Sequence, residues 1–124
     1  MTEEADFDLA LELLAVNATR GKHWKFLAGM AVWIVQPDGG VERGRIVVGP
    51  GLTASDGWAD LTDPATLGCL LALVREAWGC PHLSVVGTPG DWRIDAEGGP
   101  VGIRDLHSYR SEAEALVLAL EAAP

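Results

Sequence analysis

Apolar residues recur at helical spacing in three stretches of the chain, with short β-rich runs between them. In Glu3–Val16, Phe7, Ala10, Leu11 and Leu14 share one face, opposed by Glu4, Asp8 and Glu12. This pattern predicts an amphipathic helix, and its acidic first turn suits the positive end of the helix dipole. Asn17–Gly21 is expected to end it, with Gly21 as the stop. The second helical stretch, Asp63–Trp78, opens on a good N-cap, Asp63, and on Pro64, whose missing N–H would be unpaired there anyway. Leu67, Leu70, Leu71, Val74 and Trp78 form its main stripe, and Cys69, Ala72, Leu73 and Ala77 fill most of the rest. Only Thr66, Arg75 and Glu76 are distinctly polar, so this helix should be covered on more than one side. Gly79 and Pro81 stop it. In the third stretch, Ser111 and Glu114 form a capping box opening a helix to Ala122, with Ala113, Leu116, Val117 and Leu120 facing inward.

Gly29–Gln36 and Val41–Val48 read as strands joined by Pro37-Asp38-Gly39-Gly40, a hairpin signal. Met30, Val32 and Ile34 share one face of the first strand, and Ala31, Trp33 and Val35 the other. With both faces apolar, a central, doubly covered position is expected. Gly49–Thr62 reads as a surface loop. Leu83–Val86 and Asp91–Asp95 form a second hairpin around Thr88-Pro89-Gly90, and Val101–Leu106 adds a third short strand. The order α-β-β-α-β-β-(β)-α predicts an α+β fold: a small antiparallel sheet of two hairpins, packed by the central and terminal helices.

Length and composition add bounds. A chain of 124 residues is expected to form a single domain over 1–124. The formal charge is −9, from 18 acidic against nine basic residues. That balance makes direct nucleic-acid binding and anionic membranes unfavourable, while permitting an acidic DNA mimic. No apolar run approaches the roughly 20 residues needed to span a bilayer. Met1–Asp8 carries acids and no base, the opposite of a secretory n-region, so a cytoplasmic location is expected. Cys69 and Cys80 would be separated by roughly 16 Å of helical rise, too far for a disulfide.

The run Asp60-Leu61-Thr62-Asp63-Pro64-Ala65-Thr66-Leu67-Gly68-Cys69-Leu70-Leu71-Ala72-Leu73-Val74-Arg75-Glu76-Ala77-Trp78-Gly79 resembles a segment of small, uncharacterised phage and prophage proteins. Trp24 with Gly29-Met30, and Glu112-Ala113-Glu114-Ala115-Leu116-Val117, extend the resemblance to about half of the chain. It implies a phage accessory protein made in a bacterial cytoplasm, of a kind that counters host defences by binding something. It implies no activity.

Most catalytic chemistries fail on spacing. Gly49-Pro50-Gly51-Leu52-Thr53-Ala54 matches a dinucleotide fingerprint after a strand, but Ser55-Asp56-Gly57 and Asp63-Pro64 break the helix it requires. Cys69, Cys80, His82 and His107 lack the paired close spacing of structural zinc, and Cys80–His82 lacks an orienting third group for nucleophilic catalysis. Asp56, Asp60 and Asp63 lack the alternation of a calcium loop. Asp91, Asp95 and Asp105 read as solvated turn residues. No metal, cofactor or catalytic set is assigned.

Two features remain. Arg20-Gly21-Lys22-His23-Trp24-Lys25-Phe26 interleaves three of the nine basic residues with two aromatics. With Arg43 and Arg45 on one face of a strand, and Arg93 beside Trp92, these could build a pocket for an anionic, nucleotide-like ligand. Alternatively, the cations complement a helix dipole and Trp24 and Phe26 are core. The second feature is Trp58, in a loop with Asp56 and Asp60, which either anchors a partner interface or lids the core. The expectation is a non-catalytic binding protein for a host protein or nucleotide-like ligand. The alternatives are a small enzyme acting on a nucleotide or phosphorylated substrate, and an acidic DNA-mimic inhibitor. A homodimer would cover surplus apolar surface.

Overall fold

A computed structural model describes residues 3–47, 56–88, 90–95 and 109–124, with side chains from residue 10 onward. The expected turn at 49–54 and strand at 101–106 lie outside the described residues, as do Asp105 and His107. The elements run α1 (Glu3–Thr19), β1 (Ala31–Val35), β2 (Val41–Arg45), β3 (Gly57–Ala59), α2 (Pro64–Trp78), β4 (Ser84–Thr88), β5 (Asp91–Asp95) and α3 (Glu112–Ala122). The class is α+β, and both expected hairpins are antiparallel. They sit in separate sheets: one has the order β2-β1-β3, the other pairs β4 with β5.

β3 lies within the stretch expected to be loop. Val32, Trp33 and Ile34 pair with Ala59, Trp58 and Gly57, so β1 becomes the middle strand. The turn-forming residues upstream hide a strand of only three residues. Gly57 makes the pairing possible, because a Cβ there would overlap the Trp33 carbonyl. Cover on both faces of β1 holds at its start, where Ala31 and Val32 are buried, and fades to an exposed Val35.

α2 begins and ends as its sequence dictates. The Asp63 side chain accepts the Thr66 N–H, Pro64 occupies the first turn, and Gly79 closes the helix in the left-handed region at φ 63°. Gly79 and Cys80 donate to the Glu76 and Arg75 carbonyls. Its burial is one-sided, since Leu70, Leu73 and Val74 are buried while Ala65, Gly68 and Ala72 are exposed. Thr66, polar by sequence, is fully buried. α3 is the more enclosed helix: Ala113, Ala115, Leu116, Val117, Ala119 and Leu120 are all buried. It packs on α1, α2 and the β4–β5 ribbon. Ser111 caps it by accepting the Glu114 N–H, and the Glu114 carboxylate reaches back to the Arg110 N–H.

The core joins Leu11 and Ala15 of α1, Met30 and Val32, Ala59 and Leu61, the inner face of α2, Leu83, Ile94 and α3. Full burial of a Leu or Met side chain contributes roughly 1.5–3 kcal/mol, so Met30, Leu70, Leu83 and Leu116 are its largest single contributors. No helix among the described residues is long and apolar enough to cross a membrane.

Candidate functional site

β1 presents Ala31, Trp33 and Val35 to one face of its sheet. The register places Arg45, Arg43 and Val41 of β2 beside them, and Trp58 of β3 directly opposite Trp33. One sheet face therefore carries two arginines, two tryptophans and two valines. The arginines are already engaged. Arg43 donates from Nε to Asp60 at 2.9 Å, and its Nη2 lies 3.5 Å from Asp63. Arg45 clamps both Asp63 oxygens at 3.0 and 2.9 Å and also donates to the Gly29 carbonyl at 2.7 Å. Such two-point guanidinium–carboxylate pairing is stronger than a single contact.

The carboxylates respond accordingly. Bonding to Arg45 holds the Asp63 carboxyl far below the usual range, outweighing its burial, with the Thr66 N–H and hydroxyl adding to the effect. Burial pushes Asp60 up, but bonds from the Thr62 hydroxyl and N–H and from Arg43 reverse this and leave it lowered. Arg45 is raised in turn, by its bond to Asp63 first. Beneath this cluster the Thr66 hydroxyl accepts the Ala31 N–H at 2.8 Å and lies 3.2 Å from Asp63 Oδ2. The set thus bolts β2 and β1 to the N-terminus of α2.

Beside it opens a cleft of about 460 Å³, lined by Leu11 and Glu12 of α1, Trp33, Val41, Trp58 and the segment Ala59–Thr62. Trp33 and Trp58 are half-buried there. The Trp58 indole N–H is covered yet has no hydrogen-bond partner among the described residues. Val35 and Val41 are exposed nearby, at 45% and 49%.

The residues expected to form an anionic-ligand pocket are not brought together. Lys25 pairs with Glu76 at 2.9 Å, whereas Arg43 and Arg45 pair at Asp63. Those two acids are separated by about 20 Å of rise along α2. Lys22 is exposed and lines a separate hollow of about 210 Å³ with His23, Trp24, Leu120 and Glu121. Trp24 packs on the core and meets Phe26 edge-on, with ring centroids 5.6 Å apart. Trp92 also packs on the core, and its backbone bridges to Tyr109, while Arg93 is exposed.

Of the expected partner surface, only Trp58 faces the cleft with its side chain open to it. Asp60 lines its floor, buried and bonded to Arg43 and Thr62. Asp56 is exposed at the strand end, and its carbonyl accepts the Val35 N–H. Trp33 lies on a strand face expected to be covered, and Leu11, Glu12, Val41 and Leu61 carry no local mark of a site. The available signal was Gly57-Trp58-Ala59, a large aromatic between two small residues, able to pair closely with a tryptophan-bearing strand.

Among the described residues, no group of three or more His, Cys, Asp or Glu side chains could hold a metal ion. Cys80 is buried and His82 exposed. Burial raises the Cys69 thiol above its ordinary value, which works against a thiolate nucleophile. Scanned against family models, curated proteins and solved structures, the chain matches none of them.

Proposed function

We propose that this chain is a non-catalytic binding protein whose site is the Trp33–Trp58 cleft. The observation that carries the reading is the cleft itself: about 460 Å³, walled by two half-buried tryptophans with Leu11, Val41 and Leu61. Concave, mostly apolar sites with a few polar groups are where ligands and anchoring side chains bind, and tryptophan is among the residues enriched at interface hot spots. A partner protein is favoured over a nucleotide-like ligand, because Arg43 and Arg45 already have carboxylate partners. The resemblance of the α2 segment to phage and prophage accessory proteins supports a host protein as the target, met in a bacterial cytoplasm and bound to counter a defence.

Affinity capture from a bacterial host lysate tests this reading. A partner retained by the native chain should be lost by Trp58→Ala and kept by Arg110→Ala, with circular dichroism verifying that both variants fold. A partner held equally by a folded Trp33→Ala/Trp58→Ala variant places the site elsewhere and removes the proposal.

A further inference from the structure

Among the described residues, the ionisable side chains lining the cleft are both carboxylates, Glu12 and Asp60. They are not equivalent. Asp60 is buried and carries Arg43 as its counter-charge. Glu12 is exposed on α1 and has no ionic partner among the described residues. The walls are apolar and aromatic, and the chain as a whole carries −9. The neighbouring cation, Arg43, is committed to Asp60, so an anion entering here would meet the unpaired charge of Glu12. A neutral apolar group would leave Glu12 unused.

We propose that the cleft receives a cationic side chain, an arginine or lysine presented by a basic segment of a partner protein. This rests on the reading of the cleft as the binding site and adds the chemistry of its occupant. The methylene stem of such a side chain packs along Leu11, Val41 and Leu61, as long basic side chains do on apolar surface. Its charged head meets the indole faces of Trp33 and Trp58, the strongest cation–π acceptors among side chains, and pairs with Glu12 at the rim. The negative field of the chain steers a basic segment toward the opening.

The test titrates ¹⁵N-labelled protein with three capped hexapeptides: arginine, glutamate, and a neutral alternation of phenylalanine and glutamine. The readout is the set of indole N–H signals. The arginine peptide should shift those of Trp33 and Trp58 and leave those of Trp24, Trp78 and Trp92 in place. Glu12→Gln should weaken its binding about three- to fivefold, the size of an exposed ion pair, while Glu121→Gln should leave it unchanged. If the neutral peptide shifts Trp33 and Trp58 more strongly than the arginine peptide, the cationic occupant is wrong and the cleft remains the binding site. If no peptide moves either signal, both readings fail. Sedimentation that shows a dimer dissolved by Trp58→Leu would replace the basic partner with a second copy of this chain.

Discussion

Two neighbouring regions on one sheet face use their residues in opposite ways. Around Asp63, four charged side chains, Arg43, Arg45, Asp60 and Asp63, are turned on one another and on backbone groups. A few residues away, Trp33 and Trp58 open onto a cleft, and the Trp58 N–H lacks a partner among the described residues. Basic residues are the usual first candidates for ligand binding, yet here they hold the fold. The cleft, by contrast, offers aromatic and apolar surface with the exposed Glu12 among its described lining residues. Charge in a sequence says little about function until its partners are known.

That comparison can be broken by substitutions, beginning with the largest expected effect. Asp63→Ala removes the α2 N-cap, worth about 1 kcal/mol. It also frees Arg45, whose exposure at 46% softens the penalty for an unpaired charge, while Arg43 keeps its bond to Asp60. A loss of about 2–3 kcal/mol is expected in urea unfolding, with the binding of the arginine peptide retained. Thr66→Val keeps the shape but leaves the buried Ala31 N–H without its acceptor. Its expected cost is about 1–2 kcal/mol, read the same way.

The cluster also sets an acid limit. Asp60 and Asp63 have folded-state values below their unfolded ones. Their contribution is therefore fully present above the ordinary aspartate value of about 4 and is lost as the pH falls below it toward the folded values. Between pH 5 and pH 2, on the order of the range such linkage spans, the native chain should lose more thermal stability than Asp60→Asn/Asp63→Asn. Parallel melting curves would contradict the pairing. The smallest effect belongs to Lys25→Ala. Its pair with Glu76 is exposed on both sides, at 58% and 67%, so a change below about 0.5 kcal/mol is expected in the same unfolding assay.

Much of the fold was legible because it is local. The Asp63-Pro64 start and Gly79 stop of α2, the Ser111 cap of α3 and the two hairpins are each written within a few residues. The third strand of the β1–β2 sheet was not, because it spans three residues whose only local mark is Gly57 beside Trp58. Thr66 shows the same limit. Read alone it is a polar position on a helix, and only the packing of β1 against α2 makes it a buried bridge. For the site, Trp58 was legible as an unusual loop tryptophan, whereas Trp33 required the register of β1 on β3. The arginines shared a face as expected, but their carboxylate partners lie 17 and 18 residues away in the chain, beyond any local pattern.

The central claim is that the tryptophan cleft binds and the arginine cluster supports. One paired titration with the arginine hexapeptide addresses it most directly, comparing Trp33→Leu/Trp58→Leu with Arg43→Lys/Arg45→Lys. Leucine keeps apolar volume and removes the indole faces, and lysine keeps charge and removes the two-point clamp. The account predicts that the first variant loses about tenfold or more in affinity, consistent with two cation–π contacts, while the second binds like the native chain and unfolds at lower urea. Native-like binding by the tryptophan variant, with loss in the arginine variant, would contradict it.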